Sequence, residues 1–171
     1  MRMRNYRENN RLDAPETGKM INGQALGSVA KLRYGACSMS FNGCEVIAVC
    51  NALTYAKIPR DIREIAAYME KYRVFIGIFG CSVYHIGKAL SHFGINSRTV
   101  SIEQAGDAFI MSSWTGRPLF SSIHTVFCIR ENGGIKVYNR YNSCGEARFY
   151  DSPADIFSGR TPLRVYNILS E

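Results

Sequence analysis

The stretch from Glu45 to about Ala56 constrains the fold more than any other part of the sequence. Only Glu45, Asn51 and Thr54 interrupt its apolar run, so a helix formed there would be apolar on almost every side. Such a helix belongs in a protein interior, and 46% of the 171 residues are hydrophobic, enough to cover it. We therefore expect a core built around this central helix.

Two more helices are predicted after it. One opens near Pro59 and has apolar residues at helical spacing with charges opposite, which is typical of a surface helix. The other is expected to begin at Ser82, a good N-cap residue, and to end at Gly94. The apolar positions are Ile62, Ile65, Ala66 and Met69 in the first, and Val83, Ile86, Leu90 and Phe93 in the second.

Beyond Gly94 the hydrophobic pattern changes to a period of two, which predicts strands. The expected strands are residues 97–102, 108–113, 125–130, 135–138 and 164–169. Asn132-Gly133-Gly134 supplies the residues that a tight hairpin turn requires between the third and fourth strands. Helices followed by strands predict an α+β fold, in which an N-terminal helical part with a buried central helix packs on a C-terminal antiparallel sheet.

The net charge of +7 is concentrated at the N-terminus. Residues 1–33 carry seven basic and three acidic groups, whereas the charges of the remainder are interspersed. No run of like charge would follow a phosphate backbone, so nucleic-acid binding is not expected. We expect residues 1–33 to form a basic, solvated N-terminal arm and residues 34–171 to form the folded domain.

The charged N-terminal residues are not followed by the apolar run of an export signal, and no segment is long and apolar enough to span a membrane. The six cysteines are therefore expected to be reduced thiols in the cytoplasm. Their spacing contains no CxxC and no paired ligand pattern, so a structural zinc site is not expected.

A candidate nucleophile lies where the central helix begins, in Asn42-Gly43-Cys44-Glu45. Unpaired N–H groups and the positive end of the helix dipole would favour the thiolate of Cys44 and lower its pKa. The same N–H groups could stabilise an oxyanion on a substrate carbonyl. The alternative is a small cysteine that fills space at a helix start.

The best candidate for a general base is His124, which stands where the hairpin strand begins and where its ring would project toward the helix. Asn139 ends the returning strand and would accept the imidazole N–H, fixing the tautomer as the third member of a Cys-His-Asn set. Asn142 is the alternative third residue. His85 and His92 are expected on the surface of the third helix, and the Cys81–His85 pair lacks the further ligands that a metal needs.

The order of Cys44, His124 and Asn139 resembles the papain-like cysteine peptidases. It is most similar to the compact bacterial family that includes the leader-cleaving C39 peptidase domains. The resemblance covers roughly residues 35–170. It rests on three short motifs: Asn42-Gly-Cys-Glu-Val-Ile-Ala48, His124-Thr-Val-Phe and Val137-Tyr-Asn139.

The resemblance implies a papain-like fold and a peptidase that cleaves a peptide or protein substrate through a thioester on Cys44, without a metal or cofactor. It also implies an oxyanion donor six residues before the cysteine, where the family has Gln and this chain has Ser38. Asn42 or Ser40 could take that role instead. Two other functions stay open: acyl transfer to an amine by the same triad, and peptide binding by a catalytically silent domain.

Overall fold

The apolar run around Val49 forms the helix that the sequence predicts. The structure is a computed structural model that describes residues 1–116 and 122–169. In it the central helix α3 spans Cys44–Tyr55, and each of its residues up to Leu53 is buried. The helices are α1 Arg2–Asn9, α2 Met39–Asn42, α3 Cys44–Tyr55, α4 Ile62–Met69, α5 Ile86–His92 and α6 Pro153–Ile156.

The strands form a two-stranded and a six-stranded sheet, both antiparallel. The small sheet pairs β1 Arg33–Tyr34 with β2 Cys37–Ser38. The large one has the order β3-β8-β4-β5-β6-β7, and α3 packs on its strand β5. Its strands are β3 Ser97–Thr99, β4 Ala108–Trp114, β5 Ile123–Glu131, β6 Gly134–Tyr138, β7 Arg148–Tyr150 and β8 Arg164–Ile168. The predicted α+β arrangement of helices on an antiparallel sheet is confirmed.

Alternation of side chains along the strands gives the large sheet two buried faces. Ile110 and Phe127 belong to the apolar cluster that contains α3, α4 and α5. Met111 and Val126, their neighbours in sequence, belong to a second cluster on the other face, which is completed by Phe157 just after α6. A side chain on β5 therefore reaches either the helical layer or the α6 side.

The predicted hairpin is confirmed as β5 and β6. Asn132 and Gly133 lie between them with φ of 52° and 78°, the left-handed pair that a type I′ turn requires. Other elements differ in extent from the prediction. The first strand stops at Thr99 because Ser101 and Gln104 form a capping box that starts a short 3₁₀ helix. The third helix begins as a 3₁₀ turn before α5.

Residues 1–33, expected as a solvated arm, make buried contacts with the rest of the domain. Within this segment, Asn9 of α1 exchanges two hydrogen bonds with the backbone of Arg33, at 2.7 and 3.0 Å. Further along, Asn51 of α3 holds the backbone of Ile21 in the same paired fashion, at 2.8 and 3.0 Å. These contacts place the following residues, 22–25, against the strand ends described below.

No helix within the two described ranges is long and apolar enough to cross a membrane.

Candidate active site

Cys44 is the first residue of α3, and a glycine allows the helix to begin there. Gly43 separates α2 from α3, and its N–H donates to the Met39 carbonyl at 3.0 Å. A Cβ at position 43 would come within 2.7 Å of that same oxygen, so the chain can pass this tightly only with glycine. Cys44 itself is 5% exposed.

The surroundings of Cys44 favour the thiol and not the thiolate. Burial raises the pKa of Cys44 well above its ordinary value, and the carboxylate of Glu45 adds to this effect. The backbone N–H of Thr125 faces the sulfur and acts in the opposite direction, as does that of Glu45. The prediction that the helix start lowers the pKa of Cys44 is wrong, because loss of hydration and a neighbouring negative charge outweigh the backbone donors.

Glu45 is a functional candidate that the sequence reading missed. Glu45 is 3% exposed, and its carboxylate lies beside the Cys44 thiol and accepts a hydrogen bond from the Cys81 N–H at 3.4 Å. Burial raises the pKa of Glu45 to about 7, although these donors and its own N–H work against the rise. The one charged residue of a nearly apolar helix is the signal that could have drawn attention to it.

His124 and Asn139 are in direct contact, but through the backbone of Asn139. The ring Nε2 of His124 lies 2.6 Å from the carbonyl oxygen of Asn139. A carbonyl only accepts, so Nε2 carries the hydrogen and Nδ1 is left as the base in the neutral ring. Asn139 therefore contacts the His124 ring as expected. The contact is made by its backbone carbonyl, whereas the side-chain amide that was predicted to make it bonds to Gln24.

The imidazole does not project toward α3 as expected. Since side chains alternate along β5, Thr125 and Phe127 face α3, and His124 shares the other face with Val126. Burial lowers the pKa of His124 to about 4, with a contribution from Arg140, and only the Asn139 carbonyl opposes this. At neutral pH the ring is therefore uncharged.

A stretch of β5 that β6 does not pair with joins the surroundings of Cys44 and His124. β6 ends with Tyr138 paired to Phe127, so β5 continues beyond its partner for residues 123–126. The Thr125 N–H in this stretch faces the Cys44 sulfur, while the Asn139 carbonyl meets the neighbouring His124. The structure thus brings the three predicted residues to one strand end, with sulfur and imidazole approaching from different sides.

The predicted oxyanion donors are engaged in other contacts. The amide nitrogen of Asn42 donates to the carbonyls of Tyr34, at 3.1 Å, and Gly77. It therefore anchors neighbouring backbone, and Asn42 is 4% exposed. The hydroxyls of Ser38 and Ser40 lie 2.6 Å apart and bond to each other.

The remaining candidates are accounted for by packing. Asn142 is exposed and its carbonyl accepts from the N–H of Ala25 at 2.8 Å, so Asn139 is the asparagine that meets His124. His85 stacks on Tyr72 and bonds to Ser82, and His92 stacks on Tyr68 with ring centroids 3.7 Å apart.

Comparisons with known proteins find a distant structural likeness. No family model and no curated protein matches the sequence. Among solved structures, a variant of the Salmonella effector SpvD is similar at 13% sequence identity, with a TM-score of 0.36, over 98% of this chain and 91% of that chain. A TM-score this low marks a remote likeness, and the functional interpretation rests on the geometry of the site itself.

Proposed function

We propose that the protein is a cysteine peptidase in which Cys44 is the nucleophile, His124 the general base and the Asn139 carbonyl the group that orients the ring. One observation carries this proposal. The His124 Nε2 hydrogen bond to Asn139 leaves Nδ1 as a base, one residue away from the Thr125 N–H that faces the Cys44 sulfur.

The pKa shifts of both groups favour a mechanism that starts from a neutral pair. Cys44 would give its proton to Nδ1 of His124 as the sulfur attacks the peptide carbonyl, and the N–H groups at the start of α3 would stabilise the oxyanion. The imidazolium then protonates the leaving amine, and water hydrolyses the thioester. Contacts of this kind often close fully only with substrate bound, and here the imidazole has to reach the sulfur around the edge of β5 that β6 leaves unpaired.

A peptide-binding domain without turnover is the second candidate. It is favoured by the burial of Cys44, by the raised pKa of its thiol and by the orientation of His124 on the other face of β5. The two candidate functions can be distinguished because only the peptidase needs the Cys44 sulfur.

Incubation with a peptide library, read by mass spectrometry, distinguishes these functions. We expect the wild-type protein to produce cleaved peptides and Cys44→Ala to lose this activity by at least about 10³-fold. Cys50→Ala is the matched control, since Cys50 is a buried cysteine of the same helix and should not be required. An added amine would give amide products if the thioester is transferred instead of hydrolysed.

Cleavage that persists in Cys44→Ala would contradict the proposal. Peptides that bind to the wild-type protein but remain intact would favour the silent binding domain.

A further inference from the structure

Every polar group of Asn139 has a partner, and three of the four come from residues 22–24. The Asn139 N–H donates to the side-chain oxygen of Asn22 at 2.8 Å. Its side-chain oxygen accepts from the Gln24 N–H at 3.0 Å, and its side-chain nitrogen donates to the Gln24 side-chain oxygen at 3.2 Å. The fourth group, the carbonyl, is the one that meets His124.

The backbone conformation of Asn139 explains why these contacts matter. Asn139 has a φ of 57°, a left-handed conformation that asparagine tolerates better than most residues. This conformation ends β6 and holds the carbonyl at its 2.6 Å contact with His124. Asn139 is 1% exposed, so water cannot replace the partners that hold it there.

Gln24 also reaches the helical side of the site. While its side-chain oxygen accepts from Asn139, its side-chain nitrogen donates to the carbonyl of Ser40 at 3.1 Å. Ser40 belongs to α2, four residues before Cys44. A single buried amide therefore joins the segment that leads to Cys44 with the turn that holds His124.

We propose that Gln24 is a positioning residue that clamps Asn139 against the α2 segment and so fixes the tautomer and placement of the His124 ring. This inference rests on the proposed function for its catalytic consequence, but the clamp itself can be measured without a substrate. Because Gln24 touches Asn139 and Ser40 and not the reacting atoms, it acts only through them.

The test follows the His124 Nε2 proton by NMR in the full chain. Gln24→Met keeps most of the side-chain volume and removes both side-chain hydrogen bonds; Gln24→Ala is the second variant. We expect the proton to exchange with water at least about 10-fold faster in both variants. If the peptidase proposal is also correct, kcat should fall by about 10- to 100-fold with little change in KM, as expected for a misplaced base.

Asn9→Ala is the matched control. Asn9 is also a buried amide that makes two backbone hydrogen bonds, but it ties α1 to Arg33 at the start of β1 and does not bond to the site. We expect it to lower stability while leaving both the exchange rate of the His124 proton and kcat unchanged.

Unchanged exchange in the Gln24 variants, or equally faster exchange in Asn9→Ala, would overturn the clamp. Faster exchange in the Gln24 variants of a protein that cleaves no peptide would support the clamp and reject the peptidase.

Discussion

At the scale of single residues, burial shifts the pKa values of Glu45 and His124 in opposite directions. Burial raises the pKa of Glu45 to about 7 and lowers that of His124 to about 4. Both shifts disfavour charge within the site. Their contributions to stability therefore change with pH in opposite directions and offset one another between about pH 4.5 and 6.5.

Removing either group should reveal the contribution of the other. The folded protein binds the Glu45 proton more tightly than the unfolded chain, so this contribution to stability is lost as pH rises from 4.5 through 7. Relative to wild type, Glu45→Gln should gain about 3 kcal/mol of unfolding free energy over that range. Urea unfolding at a series of pH values measures the difference.

His124→Gln should behave in the reverse way. The unfolded chain binds the His124 proton more tightly, so the wild type loses stability as pH falls from 6.5 through 4. The variant should gain about 3 kcal/mol of unfolding free energy relative to wild type over that fall in pH.

Glu64→Gln, which removes an exposed carboxyl on α4, provides the reference for Glu45→Gln. Curves for Glu45→Gln and Glu64→Gln that run parallel from pH 4.5 to 7 would refute the assignment to Glu45.

At the scale of elements, the segment between α4 and α5 is held in a strained form beside the start of α3. Two successive residues, Phe75 and Ile76, have positive φ, at 46° and 52°. The Ile76 carbonyl accepts from the Ala36 N–H at 3.0 Å, and the Gly77 carbonyl accepts from the Asn42 amide. These bonds hold a β-branched residue in a conformation that costs about 1–2 kcal/mol.

Replacing Ile76 with glycine should therefore stabilise the protein. Ile76 is exposed, so little packing is lost, and we expect a gain of about 1 kcal/mol in unfolding free energy. Ile78→Gly is the control, because Ile78 is also exposed but has an ordinary φ of −60°. It should destabilise the protein by about 0.5–1 kcal/mol. Equal effects of the two variants in urea unfolding would contradict the strain.

The elements that the sequence predicted are those with strong local signals. The apolar run of α3 and the Asn132-Gly133 turn each define their structure with nearby residues alone. Strand β7, Arg148–Tyr150, was not predicted, because it pairs with β6 at the edge of the described sheet and its burial pattern shows no alternation. Helix α1 was also missed, since its mostly polar residues give no helical apolar stripe.

At the scale of the whole molecule, helix α1 is hydrogen-bonded to residues that lie beyond position 33. Asn5 of α1 donates to the Gly35 carbonyl at 2.6 Å and to the carboxylate of Glu70 at 2.5 Å. Glu70 is 1% exposed and also accepts from the Gly35 N–H at 3.1 Å. Composition could not predict these contacts, because they use single amides within a basic, polar sequence.

Removing the Asn5 amide should weaken the whole fold. Hydrogen bonds to charged groups contribute about 1.5–3 kcal/mol, and Asn5→Ala would leave a buried carboxylate without this donor. We expect the unfolding free energy to fall by about 2 kcal/mol. Asn10→Ala, at an exposed position at the end of the same helix, should have little effect. If both variants unfold at the same urea concentration, α1 does not stabilise the domain in this way.

The sequence nominates residues for the candidate site but does not predict their geometry. The positions of Cys44, His124 and Asn139 at element boundaries could be read from local patterns. The sign of the Cys44 pKa shift depends on burial and on Glu45, and the contact of His124 depends on the conformation of Asn139. Such tertiary effects link residues far apart in sequence, as Gln24 and Asn139 do.

Labelling with peptidyl vinyl sulfones tests the pairing of Cys44 with His124 most directly, because these electrophiles need a nearby acid to protonate the carbon as sulfur adds. After incubation at pH 7 and digestion, mass spectrometry locates the adduct among the six cysteines. We predict one adduct, on Cys44, that His124→Gln abolishes and that His85→Gln leaves unchanged. Adducts spread over several cysteines, or a Cys44 adduct that forms equally fast in His124→Gln, would contradict the account.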